Sequence, residues 1–91
     1  MEKKNLKYQV WSLGYNKNQE ITDFAYMYGE YDNKQAAIGL AEQINIKKDT
    51  KKKIPNNVKW MLIQVETVRT REKWEENIDT VYEEWYKRSE W

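Results

Sequence analysis

"KWEENIDTVYEEW", residues 73–85, sets two tryptophans and a tyrosine among five acidic residues. Its reading decides the fold, because the elements before it are the same under either interpretation. Trp74, Ile78, Val81, Tyr82 and Trp85 recur at helical spacing, and acidic residues crowd the first turn, where a helix dipole favours them. Against that, "IDTVY" holds three β-branched residues in five, and these prefer strands. Period points to helix and composition to strand, so the residues alone leave both open. A strand gives a β-β-α-β-β chain, a helix β-β-α-β-α.

Working outward, "VKWMLIQVETV", 58–68, reads as the best strand in the chain. Met61, Ile63 and Val65 alternate with Trp60, Leu62 and Gln64, so both faces begin apolar and the second turns polar. Residues 47–57, "KKDTKKKIPNN", are charged, aperiodic and closed by Pro55 and two asparagines, the marks of a loop. Before it, Ala37, Leu40, Ala41 and Ile44 fall at i, i+3, i+4 and i+7, the stripe of an amphipathic helix. Asp32 takes the N-cap position with Gln35 three residues later, close to a capping box. Gly39 weakens that helix and is expected to allow close packing on a sheet.

Residues 6–15, "LKYQVWSLGY", and 24–31, "FAYMYGEY", are rich in aromatic and branched side chains and read as strands. The polar run 16–23 between them makes a hairpin with a longish loop. The fold class is α+β, an antiparallel sheet of about four strands with one helix on one face.

Ninety-one residues make one domain, residues 1–91. A hydrophobic share of 40% with 14% aromatic residues argues against disorder. Net charge is +1, split unevenly: residues 1–59 carry 11 basic and 7 acidic side chains, residues 60–91 carry 5 and 8. That is far from the basic balance of a dedicated nucleic-acid binder. Neither a leader-like apolar stretch nor a membrane-spanning run is visible, so a bacterial cytoplasmic location is expected. Lysine outnumbers arginine 13 to 3, and asparagine (8) and isoleucine (7) are plentiful. AT-rich codons encode all three favoured residues, which predicts a low-GC bacterium or one of its mobile elements; a GC-rich coding sequence would contradict this.

The arrangement "VWSLGYN…EITD…GEYDNKQAAIGLAEQI…NVKWMLIQVETV…NIDTVYEEW" resembles small uncharacterised proteins of Gram-positive phages and plasmids. The resemblance spans most of the chain and carries no catalytic residue. It implies that the "VETV…DTVYE" pair closes the chain as a β-hairpin, with a strand over roughly 77–86. "EKWEEN" and "WYKRSEW" depart from that pattern.

Catalysis fails on inventory. With no histidine and no cysteine, the commonest general bases, thiol nucleophiles and transition-metal ligands are missing. Ser12 and Ser89 lie in no nucleophile-elbow pattern, and Gly14, Gly29 and Gly39 are too scattered to cradle a phosphate. Glu75/Glu76 and Glu83/Glu84 are adjacent in sequence and diverge on a strand or a helix. No enzyme activity, cofactor, metal or small-molecule substrate is expected.

Two features remain. If residues 77–86 are a strand, one helix covers one face of the sheet. Trp11, Leu13, Trp60 and Leu62 then project from the other, joined by Val81 and Trp85, while Ile78, Thr80 and Tyr82 turn the opposite way. Such an apolar patch rimmed by charge marks an interaction site. Glu75, Glu76, Asp79, Glu83 and Glu84 would supply an acidic docking face, although a merely solvated face is the ordinary reading of such residues. These residues predict a non-catalytic protein-binding module of a bacterial mobile element. Its role would be to inhibit a host defence system, of the anti-CRISPR or anti-restriction type, by occluding a surface. Its partner is a host protein or a second copy in a homodimer, with no membrane involved. The alternative is a nucleic-acid-binding accessory protein using Lys47, Lys48, Lys51, Lys52 and Lys53. Asp49 interrupts that run and no arginine lies in it, which favours a solvated loop.

Overall fold

The computed structural model describes residues 6–44, 54–71 and 74–90. They form strands β1 (Leu6–Tyr15) and β2 (Ile21–Tyr31), helix α1 (Lys34–Gln43), strands β3 (Trp60–Arg71) and β4 (Trp74–Lys87), and a closing 3₁₀ turn, Arg88–Glu90. The deciding stretch is a strand, and the β-β-α-β-β arrangement holds. The four strands make one antiparallel sheet in the order β2-β1-β3-β4. Because β2 and β3 both run antiparallel to β1, they are parallel to each other, and joining them requires a crossover, which α1 supplies.

Pairing explains why strand wins over helix at residues 74–87. Among the described residues, β3 carries half of the buried side chains, Met61, Leu62, Ile63, Val65, Thr67 and Val68. Left as an edge, it would hold a row of unpaired backbone groups beside the core. β4 satisfies them from Trp60↔Lys87 to Arg71↔Trp74. The helix-like spacing has its own cause. Two register shifts, between Val65 and Glu66 and between Thr67 and Val68, leave Val81 and Ile78 as extra residues in β4. Each bulge resets the alternation of the strand, so apolar residues three and four apart mimic a helical stripe.

The core lies between α1 and one face of the two central strands. Val10, Met61, Ile63 and Val65 meet Ala37 and Ala41 of α1, with Val58 at one end. Tyr8, Phe24, Ile38, Tyr82 and Tyr86 pack around that centre, half-buried. The small side chains of Ala37 and Ala41, one turn apart, let the helix backbone sit close to the sheet.

Several local expectations need correction. The N-cap is Asn33, whose side chain accepts from the Ala36 N–H at 3.1 Å. Asp32 instead pairs with the Lys7 ammonium across the β1–β2 end of the sheet. Gly39 makes no close approach, since a Cβ built on it meets nothing within 4 Å. Gly14 is the glycine that space requires, because a Cβ there would lie 2.9 Å from Val58 Cγ2. The β1–β2 connection is shorter than 16–23, as β2 begins at Ile21. Asn16 closes it with its side chain, accepting from the backbone N–H of Asn18 (2.8 Å) and of Glu20 (3.0 Å) in an Asx turn. At the far end, the Arg88 guanidinium donates to the carbonyls of Pro55 and Val58 and fixes the chain end against the entry to β3.

Candidate interaction face

On the helix-free face the register assembles rows that run across all four strands. Ile21, Tyr15, Trp60 and Lys87 form the first; Ala25, Leu13, Leu62 and Trp85 the second; Met27, Trp11, Gln64 and Glu83 the third. The fourth row, Glu30, Gln9, Glu66 and Thr80, is polar throughout. From the first row to the fourth the face therefore grades from mainly apolar to polar and acidic, and beyond the fourth lie Lys7, Val68 and Asn77.

Its centre is an aromatic cluster. Tyr15 and Trp85 have ring centroids 4.8 Å apart, and Trp60 stands nearly perpendicular to Trp85 at 6.4 Å. Both are favourable tilted or edge-to-face geometries. The Lys87 ammonium lies over Trp60, 5.4 Å from its centroid. Leu62 beneath is buried, yet Trp85 keeps 43% of its surface exposed, and Ile21 and Met27 on β2 are open as well. Apolar side chains thus reach solvent on the face that no helix covers among the described residues.

At the polar end, Gln9 is only 7% exposed despite its amide. Its Nε2 donates to Glu30 Oε2 at 3.0 Å and to Glu75 Oε1 at 3.4 Å, and its Oε1 accepts from the Trp11 indole N–H at 3.1 Å. The contact with Glu75 reveals the shape of the sheet. Gln9 lies two strands from β4 and opposite Thr80, well short of Glu75. A flat sheet would hold the two Cα atoms about 16 Å apart, beyond the reach of two side chains rising from the same surface. The hairpin of β3 and β4 must curl toward this face, as the bulges at Val81 and Ile78 promote. The helix-free face is a trough.

The structure thus brings Trp11, Leu13, Trp60, Leu62 and Trp85 onto one face. Val81 is not with them: it is the extra residue of a bulge and packs against the core on the helix side. For the same reason Thr80 sits on the helix-free face, where its hydroxyl donates to Glu66, while Tyr82 faces the helix. The acidic residues divide. Glu75 and Glu83 join the trough, whereas Glu76, Asp79 and Glu84 pair with Arg69, Thr67 and Ile63 on the helix side. Burial raises the Tyr82 hydroxyl above its ordinary value of 10.0, and nearby Tyr86, Glu84 and Glu42 add to the shift. Lys47, Lys48, Lys51, Lys52 and Lys53 lie outside the described residues. Tyr15, Glu30 and Glu66 were not singled out from sequence. Tyr15 and Glu66 share strand parity with Trp11 and Leu62, a signal that was present.

Comparison of the chain with protein-family models, with curated proteins and with solved structures finds no match in any of the three. Among the described residues, no helix is long and apolar enough to cross a membrane.

Proposed function

We propose that this chain is a non-catalytic protein-binding module that covers a surface of its partner with the helix-free trough. The observation that carries this reading is the Tyr15–Trp60–Trp85 cluster, held on one face of the sheet and open to solvent at Trp85. Tyrosine and tryptophan give large contact area for little lost side-chain freedom and dominate interface energetics. A four-stranded sheet costs little to reorganise on binding, which favours docking as a preformed surface. The lack of histidine and cysteine supports a role without chemistry. The resemblance to small phage and plasmid proteins supports a mobile-element inhibitor of a host defence system, of the anti-CRISPR or anti-restriction type, acting in the bacterial cytoplasm by occlusion.

The test is affinity capture from a low-GC bacterial lysate, with and without nuclease, using the wild-type chain and three variants. Trp85→Ala and Met27→Lys alter the trough; Tyr26→Lys alters an exposed position on the helix side of β2. A host protein retained after nuclease by wild type and Tyr26→Lys, but lost with both trough variants, is the expected result. Equal retention by all four, or loss of capture on nuclease treatment, refutes the reading.

A further inference from the structure

The trough has a charge as well as a shape. Strand alternation and register place Asp23, Glu30, Glu66, Glu75 and Glu83 on it, against Lys7 and Lys87. Lys7 is already paired with Asp32, and its ammonium is held above its ordinary value by that hydrogen bond first, with Glu30 adding a smaller effect. Among the described residues, none of Glu30, Glu66, Glu75 and Glu83 is ion-paired. Two of them, Glu30 and Glu75, converge on the same neutral Gln9 amide. Carboxylates that outnumber the cations on their face, beside an aromatic cluster and inside a concave surface, favour positive charge.

The sign decides between occupants. A second copy docked trough to trough would bring two anionic surfaces together, at the cost of like-charge repulsion. Nucleic acid would bring phosphates to carboxylates, the opposite of the contacts on which its binding depends. A basic protein segment satisfies both ends of the trough. Its ammonium or guanidinium groups meet Glu30, Glu66, Glu75 and Glu83, and an arginine plane stacks on the exposed Trp85, since Lys87 already lies over Trp60.

We infer that the trough receives an arginine- and lysine-bearing protein segment lying along β1, with its charges on the acidic row and a guanidinium on the aromatic cluster. This rests on the docking reading above and names its partner by chemistry. Because the whole chain carries a net charge of +1, attraction of a polycation to the molecule at large is not expected, and binding reports this face.

The probes are a fluorescein-labelled twelve-residue peptide of alternating arginine and serine, its glutamate counterpart, and a labelled single-stranded oligonucleotide, followed by anisotropy. The expected result is binding of the arginine peptide alone. Its affinity should fall about tenfold in Glu30→Gln/Glu66→Gln/Glu83→Gln, whose three exposed pairs are each worth a fraction of that factor. It should stay unchanged in Glu42→Gln/Glu84→Gln, whose charges lie on the helix side; circular dichroism confirms that both variants are folded. No binding of the arginine peptide, equal binding by the trough variant, or preference for the oligonucleotide overturns the inference. So does a dimer in sedimentation that the trough variant abolishes. A host protein still lost from Trp85→Ala and Met27→Lys in the capture experiment, with no arginine-peptide binding, overturns the basic partner but leaves docking intact. Capture by those variants at wild-type level removes the docking reading itself.

Discussion

Replacing Trp85 with alanine measures how much of the aromatic cluster is scaffold and how much is free surface. Trp85 is 43% exposed, so a little over half of its surface is covered. A fully covered tryptophan buries about 200 Å², which makes the covered part here about 110 Å². At about 25 cal/mol per Å² this amounts to about 2.8 kcal/mol, and the partly compact unfolded chain reduces it to about 2. Loss of the ring pairs with Tyr15 and Trp60 adds about 0.5 kcal/mol each. The expected destabilisation is about 3 kcal/mol, a fall in Tm on the order of 10–20 °C for a domain of this size. Trp85→Phe keeps a ring on both partners and should cost less than about 1 kcal/mol. Urea unfolding followed by far-ultraviolet circular dichroism is the assay, since the five tryptophans blur an emission signal. A loss below about 0.5 kcal/mol for alanine would mean that the rings do not cluster on the sheet. A loss above about 5 kcal/mol would make Trp85 a core residue and leave no free aromatic surface for a partner.

Other perturbations test the scaffold. Gly39→Ala should stabilise the domain by up to about 1 kcal/mol, because its Cβ enters open space on a helix. Gly14→Ala should destabilise it by about 1–3 kcal/mol, because its Cβ meets buried Val58; thermal melts of the pair, having opposite signs, check both. Asn33→Ala should cost about 1 kcal/mol by uncapping α1, whereas Asp32→Ala, which loses one exposed pair, should cost less than that in the same melts. Tyr82 and Lys7 both have raised values in the folded state, so their contributions are complete below the ordinary values of 10.0 and 10.5 and disappear as pH rises through the folded ones. Stability measured in urea should therefore decline above about pH 10, and Tyr82→Phe should make that decline shallower.

Local patterns were enough for much of this molecule. The alternation of Met61, Ile63 and Val65 with Trp60, Leu62 and Gln64 identified β3 and its two faces, because strand side chains obey period 2 wherever pairing is regular. Ala37 and Ala41 fixed the buried side of α1 through period 3.6. The same logic placed Trp11 and Leu13 with Trp60 and Leu62, and a consistent count of parity would have added Tyr15 and Glu66. Residues 73–85 resisted that logic because two bulges break the period, and a bulge is set by the partner strand and by packing, not by the bulged residues. Only the three-dimensional pairing could therefore send Val81 to the core and Thr80 to the trough, and decide which of the acidic residues face that trough. The curl that carries Glu75 to Gln9 is likewise a property of paired strands, since no sequence window contains residues 66 positions apart. Sequence determined the elements and most of their buried faces, because those depend on neighbours along the chain. Tertiary structure alone decided the shape and charge of the trough, because those depend on which strands lie side by side.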